Sequence, residues 1–512
     1  TIAGLPGIVL GQNDHMAWTF TNIMADDTDF FLEIVDPEDR GRYVIDSANV
    51  GLVAFQPFEK VRELIKVKDS DAVFHEYRVT KNGPVITDMY PNLDLIDNQV
   101  ISMKWMGHEV SNELRTMYEI NWATNFQEFK DALEHFDVPG QNFMYGDLEG
   151  NIAMYSTARL PVRTGNKVTL RRGWVPEDDW QGYIPREEMP HVVNPAKGWI
   201  ANANNKLTTE NYPHYIASFW EPSSRIERIV STLSTDSSVT IDDMISLQND
   251  SYSSFAATLT PIILDIINNQ QEYDFSLPVS YLENWDFKYS NSSTAASIFD
   301  VFFTKLTENT LKDEFGDAAY QNFVVHELIP VRTMAKLLQD SSSLFDNINT
   351  ESVESRNQMV LTSMQDAILF LSDSLGTEPF EWRWEQLHTI TFKPPLFSLA
   401  AEDPNSPAAL SMIVDNVLSK GPYSVEGHGM SVNNGQYSWE KPFEMTLGAS
   451  VRRIIDFSDL SATRSVLPTG QSGNPISEHY GDQSSMWLNR QYRVFHQSSD
   501  IEEKAKIGRA HV

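Results

Sequence analysis

Residues 4–33 read GLPGIVLGQNDHMAWTFTNIMADDTDFFLE, and the fold follows from how this stretch is parsed. A Leu-Pro-Gly turn precedes the apolar run Ile8, Val9 and Leu10. The chain breaks at Gly11-Gln12-Asn13-Asp14 and resumes with Met16, Ala17, Trp18 and Phe20. β-Branched and aromatic residues on both sides of turn formers predict a β-hairpin. Asn22 is then trailed by Asp26, Asp27 and Asp29 before a second apolar run. Carboxylates packed this closely against a buried sheet need a counter-charge; a hard cation is one solution, and a solvated acidic turn is the other reading.

Outward from this stretch, residues 73–87 alternate apolar and polar around Lys81-Asn82-Gly83-Pro84 and predict a second hairpin; 101–105 is a further strand. Between Asn125 and Phe136 the set Phe126, Phe129, Ala132, Leu133 and Phe136 has helical spacing, with Thr124 or Asn125 placed to cap it. NFMYGDLEGNIAMY, at 142–155, forms a third hairpin. Residues 198–205, GWIANANN, end an apolar strand in three asparagines among small residues, and a buried amide there must find partners for two donors and an acceptor.

Beyond Arg225 the periodicity turns helical, over 225–233, 241–249 (Thr240 as cap), 295–311, 331–338 and 357–375. Strands return at 430–433, 445–449 and 451–457. His479 lies near Asp482, but no serine is placed to complete a dyad, and His479 reads as structural. The chain thus divides into a β-rich part (1–222), a mainly helical insertion (223–420), a β-rich return (421–505) and a tail (506–512). The tail's KIGRAHV resembles translated adapter read-through, a basic tail being the alternative.

With 512 residues the chain has the length for a large core, as roughly three domains or one elaborated domain. Lys plus Arg number 39 against 71 Asp plus Glu, a net charge of -32 that repels nucleic acid and anionic membranes. Cysteine is absent, which removes disulfides, thiolate metal sites and cysteine nucleophiles. No apolar run reaches the length needed to span a bilayer.

Residues 6–21, with the acidic segment behind them, resemble the penicillin acylase family of amide hydrolases. The resemblance continues through 145–152, ARLPVR at 158–163, the asparagine block and the closing Gly470-Gln471-Ser472-Gly473…His479-Tyr480-Gly481-Asp482-Gln483. It is strong in the β-rich ends and weak in the helical middle. It implies an α+β fold, the αββα sandwich of N-terminal nucleophile hydrolases with a large helical insertion. In that family a precursor cuts itself, and the new amino-terminal serine of the larger chain is the nucleophile. That serine is expected well before Thr1, so these residues alone are expected to be inactive. Thr1 could itself be a nucleophile with its own amine as base, but the resemblance places it on a strand past that point.

The resemblance also implies roles for single residues. The Asn204 side chain and the Asn22 backbone N–H match the oxyanion hole, where fixed donors stabilise the charge that develops on an attacked carbonyl. Arg225 matches an arginine supporting the oxyanion side; pairing with Glu221 or Glu227 on a helix surface is the alternative. Leu10, Phe20 and Gln141 match acyl-pocket positions, though each equally suits a core or a strand end. Asp26, the Thr28 carbonyl and Asp29 match ligands of a structural calcium. Further ligands fall near Val168 and near His214 or Tyr215, where the family has an aspartate and this chain has none. No cofactor is implied for catalysis.

The expected partners are a small acyl amide substrate and the smaller chain of the same precursor, in the periplasm or outside the cell. A catalytically silent, secreted acidic binding protein on the same scaffold is the competing class.

Overall fold

Met16, Trp18 and Phe20 alternate along the strand Met16–Asn22, so they share one face of a sheet and their neighbours take the other. The computed structural model describes residues 5–494 apart from 6, 47–52, 69, 91–97, 236–237, 326–327, 341, 395–405 and 440; Thr1 and the tail lie outside these. It separates into two compact units, Thr1–Glu221 and Pro222–Val512.

In the first unit, Met16–Asn22 is the second strand of a five-stranded antiparallel sheet. The order is Gly11–Gln12, Met16–Asn22, Gln141–Asp147, Ile152–Thr157 and His191–Val193. The inward row Met16, Trp18, Phe143, Tyr145 and Ala153 meets Met117, Ile120, Phe129, Ala132, Leu133 and Phe136 from the helices Glu113–Trp122 and Phe126–Ala132 and the turn after them. Phe129 and Phe143 are wholly buried, and each large apolar side chain so placed contributes about 1.5–3 kcal/mol. The second helix starts where Asn125 accepts the Glu128 N–H (3.0 Å) while Glu128 reaches back to the Thr124 N–H (2.7 Å).

The expected first hairpin is present with different strands. Gly11–Gln12, read as turn, makes the ladder, and Ile8, Val9 and Leu10 precede it. Val9 is apolar because it plugs the core, its carbonyl accepting the Trp18 indole N–H (3.0 Å).

A separate three-stranded sheet places Thr28–Ile34 between Gln99–Trp105, antiparallel, and Arg171–Arg172, parallel. Its buried row is Asp29, Phe31 and Glu33, so two carboxylates point inward. Glu33 Oε1 accepts from Thr80 Oγ1 (3.1 Å), Asn82 Nδ2 (2.9 Å) and Ser102 Oγ (2.8 Å). Gly173 passes so near the other oxygen, Oε2, that a Cβ there would collide with it. The expected hairpin around Lys81 is present, Val73–Thr80 pairing with Gly83–Pro84, and it gains a third strand, Glu59–Ile65.

The second unit is built on the helix Thr294–Val324, broken at Gly316 (φ +70°). Arg356–Leu375, Ser276–Glu283 and Leu328–Gln339 pack on it, and Ser254–Asn268 reaches it through Phe255 against Phe299 and Phe303. Ser253, Ser293 and Ser355 cap their helices, and Thr240 forms a reciprocal box with Asp243. Met445–Gly448 and Arg452–Ile454 are strands, as expected in outline. Residues 430–433 are a turn instead, held by the Ser431 hydroxyl, which accepts the His428 N–H (2.9 Å) and donates to Asn433 O (2.8 Å).

At the centre of this unit Asp300 is buried with its oxygens on His428 Nε2 (3.1 Å) and the hydroxyls of Tyr437 (2.6 Å) and Tyr289 (3.3 Å). Nearby His388 Nδ1 meets Phe443 O (2.8 Å), and burial pushes its imidazole down to about 4. Because the unfolded chain takes that proton near 6.5, it binds more protons than the folded chain between these values, and stability falls as pH drops through the window. We expect about 3 kcal/mol to be lost between pH 6.5 and 4, with no contribution above it. Thermal unfolding across pH 4.5–7.5 should show a flatter dependence in His388→Gln; parallel curves for the two proteins would refute this.

Candidate active site

The strand Met16–Asn22 ends opposite the start of its neighbour: Asn22 faces Gln141, and Gln141 faces Thr157. The loop carrying the three asparagines folds onto this end. Asn204 has a left-handed backbone (φ +59°), a conformation asparagine tolerates better than most non-glycine residues. Its N–H donates to Asn202 Oδ1 (2.8 Å), its carbonyl accepts the Glu221 N–H (3.1 Å), and Asn205 Oδ1 accepts the Ala203 N–H (3.1 Å). Asn202 and Asn205 therefore fold the loop through side-chain-to-backbone bonds. Asn204 sends its amide to the sheet instead, Nδ2 donating to Thr21 Oγ1 (2.8 Å) and to Asn22 O (2.9 Å).

Asn22 is braced from two further sides. Its Oδ1 accepts the N–H of Met24, itself left-handed at φ +59°, at 3.0 Å. Asn142 Nδ2 donates to Asn22 O (3.4 Å), while Asn142 Oδ1 accepts the Ser156 hydroxyl (2.7 Å). Asn142 is wholly buried. Thr21 and Asn142 were not singled out from sequence, although an amide inside an apolar strand was the signal that selected Asn204.

Of the other candidates, Gln141 sits across the ladder from Asn22, and Leu10 and Phe20 are half-buried at the margin of the apolar core. The Phe20 ring lies 4.9 Å from that of Phe143. Arg225 is the second residue of the helix Ser224–Thr235, which belongs to the second unit.

The acidic segment follows Asn22 directly. Asp29 is buried, and Arg163, from the ARLPVR segment, reaches it with a fully buried side chain. Arg163 Nε donates to Asp29 Oδ2 (2.6 Å), and Nη2 donates to the Asp26 carbonyl (2.9 Å) and Asp26 Oδ1 (3.2 Å). Trp180 Nε1 donates to Asp29 Oδ2 (2.6 Å), and the Tyr215 hydroxyl donates to Asp26 Oδ2 (2.9 Å). Burial raises the Asp26 pKa; the Arg163 charge and the Tyr215 hydrogen bond pull it back, and Asp29 adds to the rise.

Thr28 opens the strand Thr28–Ile34, its hydroxyl donating to Asp27 Oδ1 (3.0 Å). Val168 is exposed, and His214 pairs with Glu188. Among the described residues no group of three or more His, Cys, Asp or Glu is placed to hold a metal ion, and no described helix is long and apolar enough to cross a membrane.

Comparison with known proteins supplies context for this geometry. The profile of the family described as Penicillin amidase matches residues 1–503. Acyl-homoserine lactone acylase QuiP of Pseudomonas aeruginosa is 25% identical over 520 residues, covering 97% of this chain and 61% of that protein. Penicillin acylase 2 proenzyme of Pseudomonas sp. is 25% identical over 495 residues, covering 95% and 59%. Penicillin G acylase of Escherichia coli is 29% identical over 243 residues, covering 46% and 27%.

The chain thus spans about three-fifths of the length of the first two relatives. The structure superposes on a thermostable penicillin G acylase from Alcaligenes faecalis with a TM-score of 0.73 at 18% identity, over 100% of this chain and 91% of that one. The fold is therefore the α+β fold of that penicillin G acylase, and the α+β class is the one the resemblance implied.

Proposed function

The chain belongs to the penicillin amidase family, and from that premise we propose that it is the larger part of an amide hydrolase that removes an acyl group through an acyl-enzyme. The observation that carries this reading is the meeting of the Asn204 amide with Asn22 at the end of the strand Met16–Asn22. In the proposed reaction an amino-terminal serine, upstream of Thr1 and freed by self-cleavage, attacks the amide carbonyl while its own α-amine takes the hydroxyl proton. The carbonyl oxygen becomes negative, and the Asn22 N–H and an Asn204 Nδ2–H hold it, each fixed donor contributing about 3 kcal/mol. Asn204 turns one N–H from Thr21 Oγ1 to the substrate for this. Collapse expels the amine, which carries the proton away, and water then hydrolyses the acyl ester.

The acyl group is taken as apolar at its inner end, against Leu10 and Phe20, with Gln141 available for a polar contact. Relatives named acyl-homoserine lactone acylase cover nearly all of this chain, so acyl-homoserine lactones are the first substrates to test and penicillins the second. A location in the periplasm or outside the cell, and pairing with a smaller chain of the same precursor, belong to the same reading. The full-length gene product should yield two chains by mass spectrometry, the larger beginning with serine, and should release homoserine lactone from an acyl donor. A single uncut chain without that serine would sink the hydrolase and leave a binding scaffold.

A further inference from the structure

We infer that the cation serving the acidic turn at 26–29 is the Arg163 guanidinium, so that this chain fills with its own side chain the place a calcium ion would take. A calcium ion needs six to eight oxygen ligands at about 2.3–2.6 Å, and here four of the turn's oxygens are already engaged by N–H and O–H donors. Asp29 Oδ2 accepts from Arg163 Nε and Trp180 Nε1, both at 2.6 Å, and the Asp26 carbonyl, Oδ1 and Oδ2 accept from Arg163 and Tyr215. A second cation on these oxygens would lie beside a guanidinium with no exposed side-chain surface, where poor screening makes like charges costly.

The unmatched atom points the same way. Among the described residues, the buried polar atom of this cluster left without a partner is a donor, Arg163 Nη1. A missing metal would leave acceptors unmatched instead. Position 214 is a histidine paired with Glu188, and position 215 is a tyrosine that donates to Asp26, so neither supplies a carboxylate. The turn joins the strand bearing Asn22 to Thr28–Ile34, and a covalently tethered cation holds that junction at any calcium concentration.

The test uses the full-length protein. Elemental analysis after dialysis should find far less than one calcium per molecule, and EDTA should leave Tm unchanged. Arg163→Ala should lower Tm by about 5–10 °C, because it leaves the buried Asp29 and the half-buried Asp26 without their counter-charge. Arg163→Lys, which keeps a charge without the planar fork, should fall between and serves if the alanine variant does not fold. One tightly held calcium per molecule, a Tm lowered by EDTA, or an Arg163 variant as stable as the wild type would each overturn the inference.

Discussion

Asn204→Ala in the full-length protein should lower kcat by about 10²–10³-fold while KM stays within a few-fold, the result expected if the proposed oxyanion donor, which strengthens only in the transition state, is removed. A structural loss must be separated from this. The alanine variant gives up the bonds to Thr21 and Asn22 (2.8 and 2.9 Å) and keeps a Cβ at φ +59° without the short polar side chain that lets asparagine tolerate it, a strain of about 1 kcal/mol. Asn204→Gly removes the same amide but accepts that backbone freely. The two variants should therefore lose the same kcat while differing in Tm, glycine being the more stable. Steady-state kinetics on both decide the matter: a glycine variant with near-normal kcat would mean that Asn204 only shapes the loop.

Asp300→Ala should destabilise the protein by about 3–5 kcal/mol. The carboxylate is the shared acceptor for His428 Nε2, Tyr437 and Tyr289 in the interior of the second unit, and alanine leaves a cavity as well as removing that acceptor. Asp300→Asn keeps the volume and one acceptor oxygen, and should cost about 1–2 kcal/mol. Urea unfolding of the two variants measures the difference. If Asp300→Ala unfolds within 1 kcal/mol of the wild type, the buried network contributes little to stability.

Much of the secondary structure in both units was legible because its signals are local. Asn125 before an apolar 3.6-residue pattern, Thr240 three residues before Asp243, and the turn between Gln141–Asp147 and Ile152–Thr157 each settle a few neighbouring residues by hydrogen bonding alone. Errors fell where an apolar residue serves the core from outside a ladder. Ile8, Val9 and Leu10 look like a strand by composition, as do residues 430–433, yet Val9 and Met430 are buried from irregular backbone. The helix Glu113–Trp122 was missed because Leu114, Tyr118 and Trp122 are exposed and blur its apolar period.

In the candidate site, the three asparagines announced themselves as amides in an apolar context. The partners of Asn204 did not: Thr21 lies 183 residues away in the chain. Arg163 was hidden for a related reason. An arginine among Leu160, Pro161 and Val162 reads as a surface charge until the fold shows the two aspartates it answers, 134 and 137 residues earlier.

The inward carboxylates of Thr28–Ile34 also bear on how the protein is made. Sliding that strand by one residue would turn Phe30, Leu32 and Ile34 inward and release Asp29 and Glu33 to water, so apolar burial by itself favours the wrong arrangement. What selects the right one is a set of donors at 80, 82, 102, 163 and 180. Trp180 follows Asp29 by 151 residues, roughly 8–30 s of synthesis on the ribosome. The Glu33 donors arrive within 69 residues, but throughout that interval Asp29 lacks its own, so the inward end of the strand at Asp29 is expected to be fixed last.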